Sequence, residues 1–219
     1  RQLNEGLTVK AFAWSPVCDR LAYVDAFSSL RLVDGDSGRA SALLSKPRSD
    51  VVGAIAWSPD GASIGFEYTR TRAGADSPER GLWIISSDGG EPAPLYIGTT
   101  TGQGEPRLAG WSPTGRTLLF WQEDEPPAIP ADGAPLFSIS ASSDAGPAGE
   151  PVRLATAPTL LHADFLAPAP AGSVPGAGEV VAVVAGPGAA TWQDKQVVLT
   201  SAMPQAGSPP ELSPLTDED

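Results

Sequence analysis

Ala54-Ile55-Ala56-Trp57-Ser58-Pro59-Asp60-Gly61-Ala62-Ser63-Ile64-Gly65-Phe66-Glu67-Tyr68 decides how this chain folds, because the chain repeats it. Trp14-Ser15-Pro16 precedes this stretch and Trp111-Ser112-Pro113-Thr114-Gly115 follows it. At matching offsets from the three tryptophans stand Leu21-Ala22-Tyr23, Ile64-Gly65-Phe66 and Leu118-Leu119-Phe120. A period of this length marks a repeat architecture, and a local reading that missed it would misassign the whole fold.

Working outward, each Trp ends an alternating run: 7–13, 51–56 and 106–110. Alternation is the strand period, with successive side chains on opposite faces. Ser-Pro-Asp-Gly is turn chemistry: Pro fixes φ, Asp bonds nearby backbone, and Gly accepts positive φ. A second alternating run follows at once, so the motif is a β-hairpin. Third strands read at 29–33, 81–85 and 134–139, each before a turn containing Gly (34–38, 88–90, 144–146). Short fourth strands read at 40–44, 93–97 and 151–155. Four antiparallel strands in roughly 40 to 55 residues are the signature of a β-propeller blade.

The order Trp-Ser-Pro-Asp-Gly, Ile-x-Phe, Leu-Trp-x-Ile, Asp-Gly-Gly-Glu, running from Trp57 to Glu91, resembles the WD40-like (PD40) repeat of TolB-like proteins. This resemblance implies an all-β propeller of four-stranded blades. It also implies a periplasmic or extracellular location and a protein or peptide partner. The same repeat occurs in the propellers of prolyl-oligopeptidase-like enzymes, so its bearing on function is broad. Oligogalacturonate-lyase relatives use several His as metal ligands, and a chain with one His is not expected to share that activity.

The expected organisation is one propeller domain or segment over residues 1–219, with blades at about 7–45, 51–97, 105–155 and 159–216. In the last blade Phe165 replaces the Trp, 179–185 is the second strand and 196–200 the third, around a Pro/Gly/Ala-rich loop at 167–178. Weak repeats commonly mark the end of an array. Arg1-Gln2-Leu3 reads as the end of an outer strand from an earlier blade, while 210–216 supplies the last blade's own outer strand. Together these features favour a piece of a longer propeller. Two copies closing a ring as a homodimer, or four blades closing alone, are the other ways to cover exposed blade faces.

A net charge of −12 argues against nucleic acid and anionic membranes as partners, since both demand basic patches. No apolar run reaches the eighteen or so residues of a membrane helix, so membrane insertion is not expected. Cys18 is the single cysteine and cannot form an internal disulfide. It occupies the turn position held by Gly61 and Gly115; were φ positive there, it would be strained by about 1 kcal/mol or more.

Catalytic and metal chemistry is sparse. Gly61-Ala-Ser63-Ile-Gly65 matches a nucleophile elbow, but that motif needs a strand-to-helix turn, and here it lies within a hairpin. His162 is the sole histidine and lacks partners for a His-rich metal site. Asp34-Gly-Asp-Ser-Gly38 lacks the distal Glu of a calcium loop. No catalytic residue, cofactor or metal ligand is therefore expected, and the chain reads as a non-catalytic binding or scaffold module.

Candidate binding residues lie in two insertions between second and third strands, 70–80 and 123–133. Such loops share a face with the connections between blades. Arg70, Arg72 and Arg80 in the first, and Glu123, Asp124 and Glu125 in the second, are the expected contact residues. Trp14, Trp57 and Trp111 are expected in the blade-to-blade core. Trp121, Trp192 and Tyr96 fall outside that register and are expected at the surface. The alternatives are the propeller of an exported prolyl-oligopeptidase-like hydrolase whose catalytic domain lies outside this chain, or a carbohydrate-binding propeller.

Overall fold

A computed structural model describes residues 8–72, 74–98, 105–122, 134–141, 149–154, 159–168, 179–187, 195–203 and 213–214; at 159–168, 187 and 213–214 the description is of backbone alone. The described residues form four antiparallel four-stranded sheets and no helix. The chain divides into two compact units, 1–101 and 102–219.

In the first unit, β1 (Val9–Trp14), β2 (Arg20–Asp25), β3 (Leu30–Asp34) and β4 (Ala40–Ala42) form one meander. A second comprises β5 (Val51–Trp57), β6 (Ser63–Arg70), β7 (Glu79–Ser86) and β8 (Ala93–Gly98). In the second unit, β9 (Arg107–Trp111), β10 (Thr117–Trp121), β11 (Leu136–Ser140) and β12 (Val152–Arg153) make the third sheet. The fourth contains β13 (Thr159–Pro168), β14 (Val180–Pro187), β15 (Gln196–Ser201) and β16 (Ser213–Pro214). Each sheet is built from four strands consecutive in sequence.

The repeated turn shows why its residues recur. The Ser58 hydroxyl donates to Asp60 Oδ1 (2.6 Å) and accepts from Ser63 N (2.9 Å), while Asp60 Oδ1 also accepts from Ala62 N (3.0 Å). The hydrogen bond from Ser58, then that from the backbone, hold the Asp60 carboxyl below its ordinary pKa. Gly61 has φ 68° and Gly115 has φ 75°. A Cβ on Gly61 would also collide with Val17. Cys18 does not share this conformation: Ser28 is the one non-glycine residue with positive φ among those described. The first turn closes differently, with Arg20 N donating to Cys18 O (2.9 Å), and the expected strain at Cys18 is absent.

Packing in the first unit is asymmetric. Trp57, Ile64, Phe66, Tyr68, Trp83 and Ile85 project from one face of the second sheet onto Ala22, Val24, Leu30 and Leu32 of the first. Ala11 and Ala13 complete this surface, and their small side chains leave room for the indole of Trp57, whose Nε1 donates to Ala13 O at 2.9 Å. The Tyr68 ring meets Trp83 edge-on at 5.2 Å, a favoured aromatic geometry. In the second unit Leu119, Trp121 and Leu136 of the third sheet pack with Val181, Val183 and Val198 of the fourth.

Two tryptophan expectations change. Trp57 and Trp111 are buried, but Trp14 is 50% exposed and Phe12 68% exposed. Alternation along β1 turns Ala11 and Ala13 toward the second sheet, which sends Phe12 and Trp14 to the opposite, open face. Trp121, expected at the surface, is 5% exposed. It occupies the repeat position of Val24, one residue after Phe120, on the face that packs against the fourth sheet.

Replacing Trp57 by Phe keeps most of the apolar contact and removes the indole donor, leaving Ala13 O short of a partner. A loss of about 1–2 kcal/mol is expected, read as a lower urea midpoint. Trp14→Phe, at a half-exposed position, should shift the midpoint by less than half as much.

Candidate functional site

Where the β4–β5 connection meets the β6–β7 loop and the β7–β8 connection of the first unit, a cavity of about 250 Å³ opens. Leu44 and Pro47 of the connection, Tyr68 and Trp83 of the second sheet, and Arg70 and Arg72 of the insertion line it. The insertion joins β6 to β7, as the sequence predicts, and puts two of its three arginines at the cavity.

A buried carboxylate organises this end. Asp50 is 2% exposed; its Oδ2 accepts from the Tyr68 hydroxyl at 2.6 Å and its Oδ1 from Thr71 N at 3.0 Å. Ser49 adds a third donor at 3.3 Å. Burial pushes the Asp50 carboxyl pKa up, but these hydrogen bonds and the Lys46 charge outweigh it, and the net shift is downward. For Tyr68, burial and the bond to Asp50 both push the phenol pKa well above its ordinary value.

Lys46 ties three carbonyls together. Its Nζ donates to Asp50 O (2.5 Å), Phe27 O (3.4 Å) and Pro47 O (3.4 Å). Desolvation pulls its pKa down, partly offset by Asp50 and Asp25. The β2–β3 turn thus lies one ammonium group away from Asp50.

That turn is itself heavily braced. Asp25, 3% exposed, accepts from Phe27 N (2.9 Å) and Ser29 N (3.0 Å) through Oδ1 and from Arg31 Nε (3.0 Å) through Oδ2. Ser28 is held at φ 58°, with its hydroxyl accepting from Lys10 Nζ (2.8 Å) and its carbonyl from Val52 N (3.3 Å). On top of this frame Phe27 is 76% exposed.

The expected contact residues separate. Arg70 is exposed at the cavity edge, and Arg72 pairs with Glu79 at 3.1 Å across its own hairpin. Arg80 stands on β7 opposite Thr69. Trp121 is core rather than surface, and Tyr96 is half-buried. Glu123, Asp124, Glu125 and Trp192 lie outside the described residues, as does the side chain of His162, whose backbone falls in a register shift of β13. Phe27, Lys46 and Asp50 were not singled out from sequence. Asp25 and Asp50 each stand at a β2–β3 turn or at the entry to a blade, and that position was their available signal.

A second trough of about 280 Å³ lies at the other end of the same sheets, beside Arg20, Asp34, Arg39 and Asp88. Its Arg20–Asp88 pair, 3.6 Å apart, is solvated on both sides and contributes little. The Asp34 carboxylate is committed to its own turn, accepting from Ser37 N (2.7 Å) and Ser37 Oγ (2.6 Å). Ser63 opens β6 opposite Ser86, within a strand-to-strand hairpin.

Neither protein-family models nor curated proteins give a match to this sequence. Solved structures do. The chain is similar to an oligogalacturonate lyase from Vibrio parahaemolyticus at 15% identity and TM-score 0.64, covering 96% of this chain and 55% of that one. It is similar to a putative TolB from Agrobacterium tumefaciens at 18% identity and TM-score 0.53, covering 92% and 63%. A prolyl oligopeptidase B from Galerina marginata matches at 11% identity and TM-score 0.63, covering 97% and 30%. The likeness is one of fold. The chain has a β-propeller architecture, and it spans less than two thirds of the length of these structures.

Asp50→Ala would strip the Tyr68 hydroxyl and Thr71 N–H of their acceptor, with an expected cost of about 2–4 kcal/mol in urea unfolding. Because the folded carboxyl pKa is depressed, Asp50's contribution is complete above the unfolded value of about 3.9 and fades as pH falls through the lower folded value. The gap between wild type and Asp50→Asn should therefore close in acid. Tyr68's raised pKa works in the other direction. Absorbance at 295 nm should show a phenol ionising later than a free one, and Tyr68→Phe should remove that late step.

Proposed function

We propose that this chain is a non-catalytic propeller binding module of the TolB-like, WD40-like repeat kind, engaging a protein or peptide partner through the loop face of its first two sheets. The observation that carries this reading is the cavity framed by Asp50, Tyr68, Trp83 and Arg70. It is a concave site with an aromatic floor, a charged rim and a hydrogen-bonded frame. Concave sites with convergent, fixed polar groups are a common form of binding site. Fold likeness alone does not assign function, and the site bears the weight here. The resemblance to TolB-like repeats supports an exported location, periplasmic or extracellular.

One observation favours a second reading. The chain covers 97% of its own length but 30% of the prolyl oligopeptidase chain. That proportion fits a propeller working as one part of an exported hydrolase, with the catalytic groups in a separate domain.

Selection of a displayed random dodecapeptide library on the immobilised chain tests the binding reading. Enriched peptides should slow amide hydrogen exchange in segments 45–50 and 70–72. Absence of enrichment, or protection confined to other segments, would count against it. Turnover of peptide p-nitroanilides by the 219-residue chain itself would overturn the non-catalytic assignment.

A further inference from the structure

We infer that the Phe27 turn and the Arg70 edge of the cavity form one recognition surface, built for an extended peptide segment carrying a carboxylate close to an apolar side chain. This rests on the loop-face binding reading and specifies the partner's chemistry.

Phe27 supplies the apolar half. Single exposed apolar residues are common and carry no message alone. Here the backbone beneath the ring is unusual: Ser28 is held in the left-handed region, a conformation that costs a non-glycine residue of order 1 kcal/mol. Bonds from Asp25, Lys10, Val52 and Lys46 hold that conformation. These partners come from four places in the sequence. The result is a large aromatic side chain, 76% exposed, on a backbone that has already lost its freedom. Aromatic anchors presented in this way dominate binding energy because little ordering remains to oppose association.

Arg70 supplies the polar half. Among the cavity's charged groups, Asp50 is satisfied by Tyr68, Thr71 and Ser49. Arg72 is engaged by Glu79. Arg70 is exposed at the cavity edge and has no hydrogen bond or ion pair among the described residues. Its guanidinium presents a planar fork suited to a carboxylate. Glu91 also lines the cavity, as an exposed side chain of the β7–β8 connection. On a chain of net charge −12, an available cation beside an aromatic floor gives local charge complementarity to an acidic ligand group.

The two halves are continuous. Lys46 Nζ bonds the carbonyls of both Phe27 and Asp50, and Asp50 bonds the amide of Thr71, the residue after Arg70. A side-chain carboxylate and a chain-terminal carboxylate offer Arg70 the same chemistry.

The test uses the whole chain and a fluorescein-labelled Gly/Ser octapeptide containing one aspartate two residues from one phenylalanine. A matched peptide has asparagine for aspartate, both peptides being C-terminally amidated, and a third, with asparagine and a free C-terminus, carries its carboxylate only there. Fluorescence anisotropy should show saturable binding of the acidic peptide, weakened about tenfold or more by Phe27→Ala, by Arg70→Ala and by the asparagine replacement. Arg39→Ala, at the opposite end of the sheets, should leave it unchanged. The third peptide reports which carboxylate source is preferred. Equal binding by the Phe27 and Arg70 variants, equal binding of the asparagine peptide, or no saturable binding would overturn the inference. A library-selected dodecapeptide run alongside separates the two levels. If it binds while the octapeptide does not, the module reading stands and this surface falls; if neither binds, both fall. Phe27 and Arg70 are exposed, so both variants should keep the wild-type circular dichroism spectrum.

Discussion

An indole lying across an alanine-surfaced sheet is the constraint on which the first unit depends. A four-stranded antiparallel sheet is too small to bury its own apolar residues and must cover one face with another element. Trp57 does this for its sheet by resting on Ala11 and Ala13 and bonding the Ala13 carbonyl. The hydrogen bond gives directional register to what burial alone would leave free to slide. Once that contact is set, Ile64 and Phe66 meet Ala22 and Val24, and Trp83 and Ile85 follow from the sheet's own pairing. The connection from β4 to β5 ends at Asp50, whose carboxylate accepts from the Tyr68 hydroxyl.

Much of this was legible in the sequence because the repeat appears several times. One hairpin is an ambiguous signal, but the same turn chemistry at Trp57 and Trp111 fixes strand ends and facing residues together. The reading failed where a residue's neighbour lies on another blade. Trp14 carries the motif yet is half exposed, since the motif records which face a side chain takes and not whether anything covers it. Trp121 was misread for the complementary reason: it fills the repeat position that Val24 fills in the first sheet, a contact position within each unit, and so dissimilar a pair hides the equivalence.

The candidate site was half visible. An insertion at Arg70–Arg80 draws attention through its length and charge, and two of its arginines do line a cavity. Asp50 and Lys46 sit in what reads as an ordinary connection, and nothing in Lys-Pro-Arg-Ser-Asp announces a buried carboxylate with three donors. Their roles depend on partners 18 to 21 positions away or more, such as Tyr68 and Thr71. Periodicity cannot reveal contacts of that kind.

The braced turn in the first sheet divides labour between neighbouring residues. Asp25 and Ser28 fix the path of the backbone, so changing either alters shape; the side chain at 27 faces solvent and alters only what the shape displays. Such a position can be rewritten without renegotiating the fold. Tyrosine, leucine or a charged residue there would inherit the same scaffold. A lineage carrying this turn could therefore change partners by single substitutions, and an engineer could do the same, using position 27 as an interchangeable tip on a fixed handle.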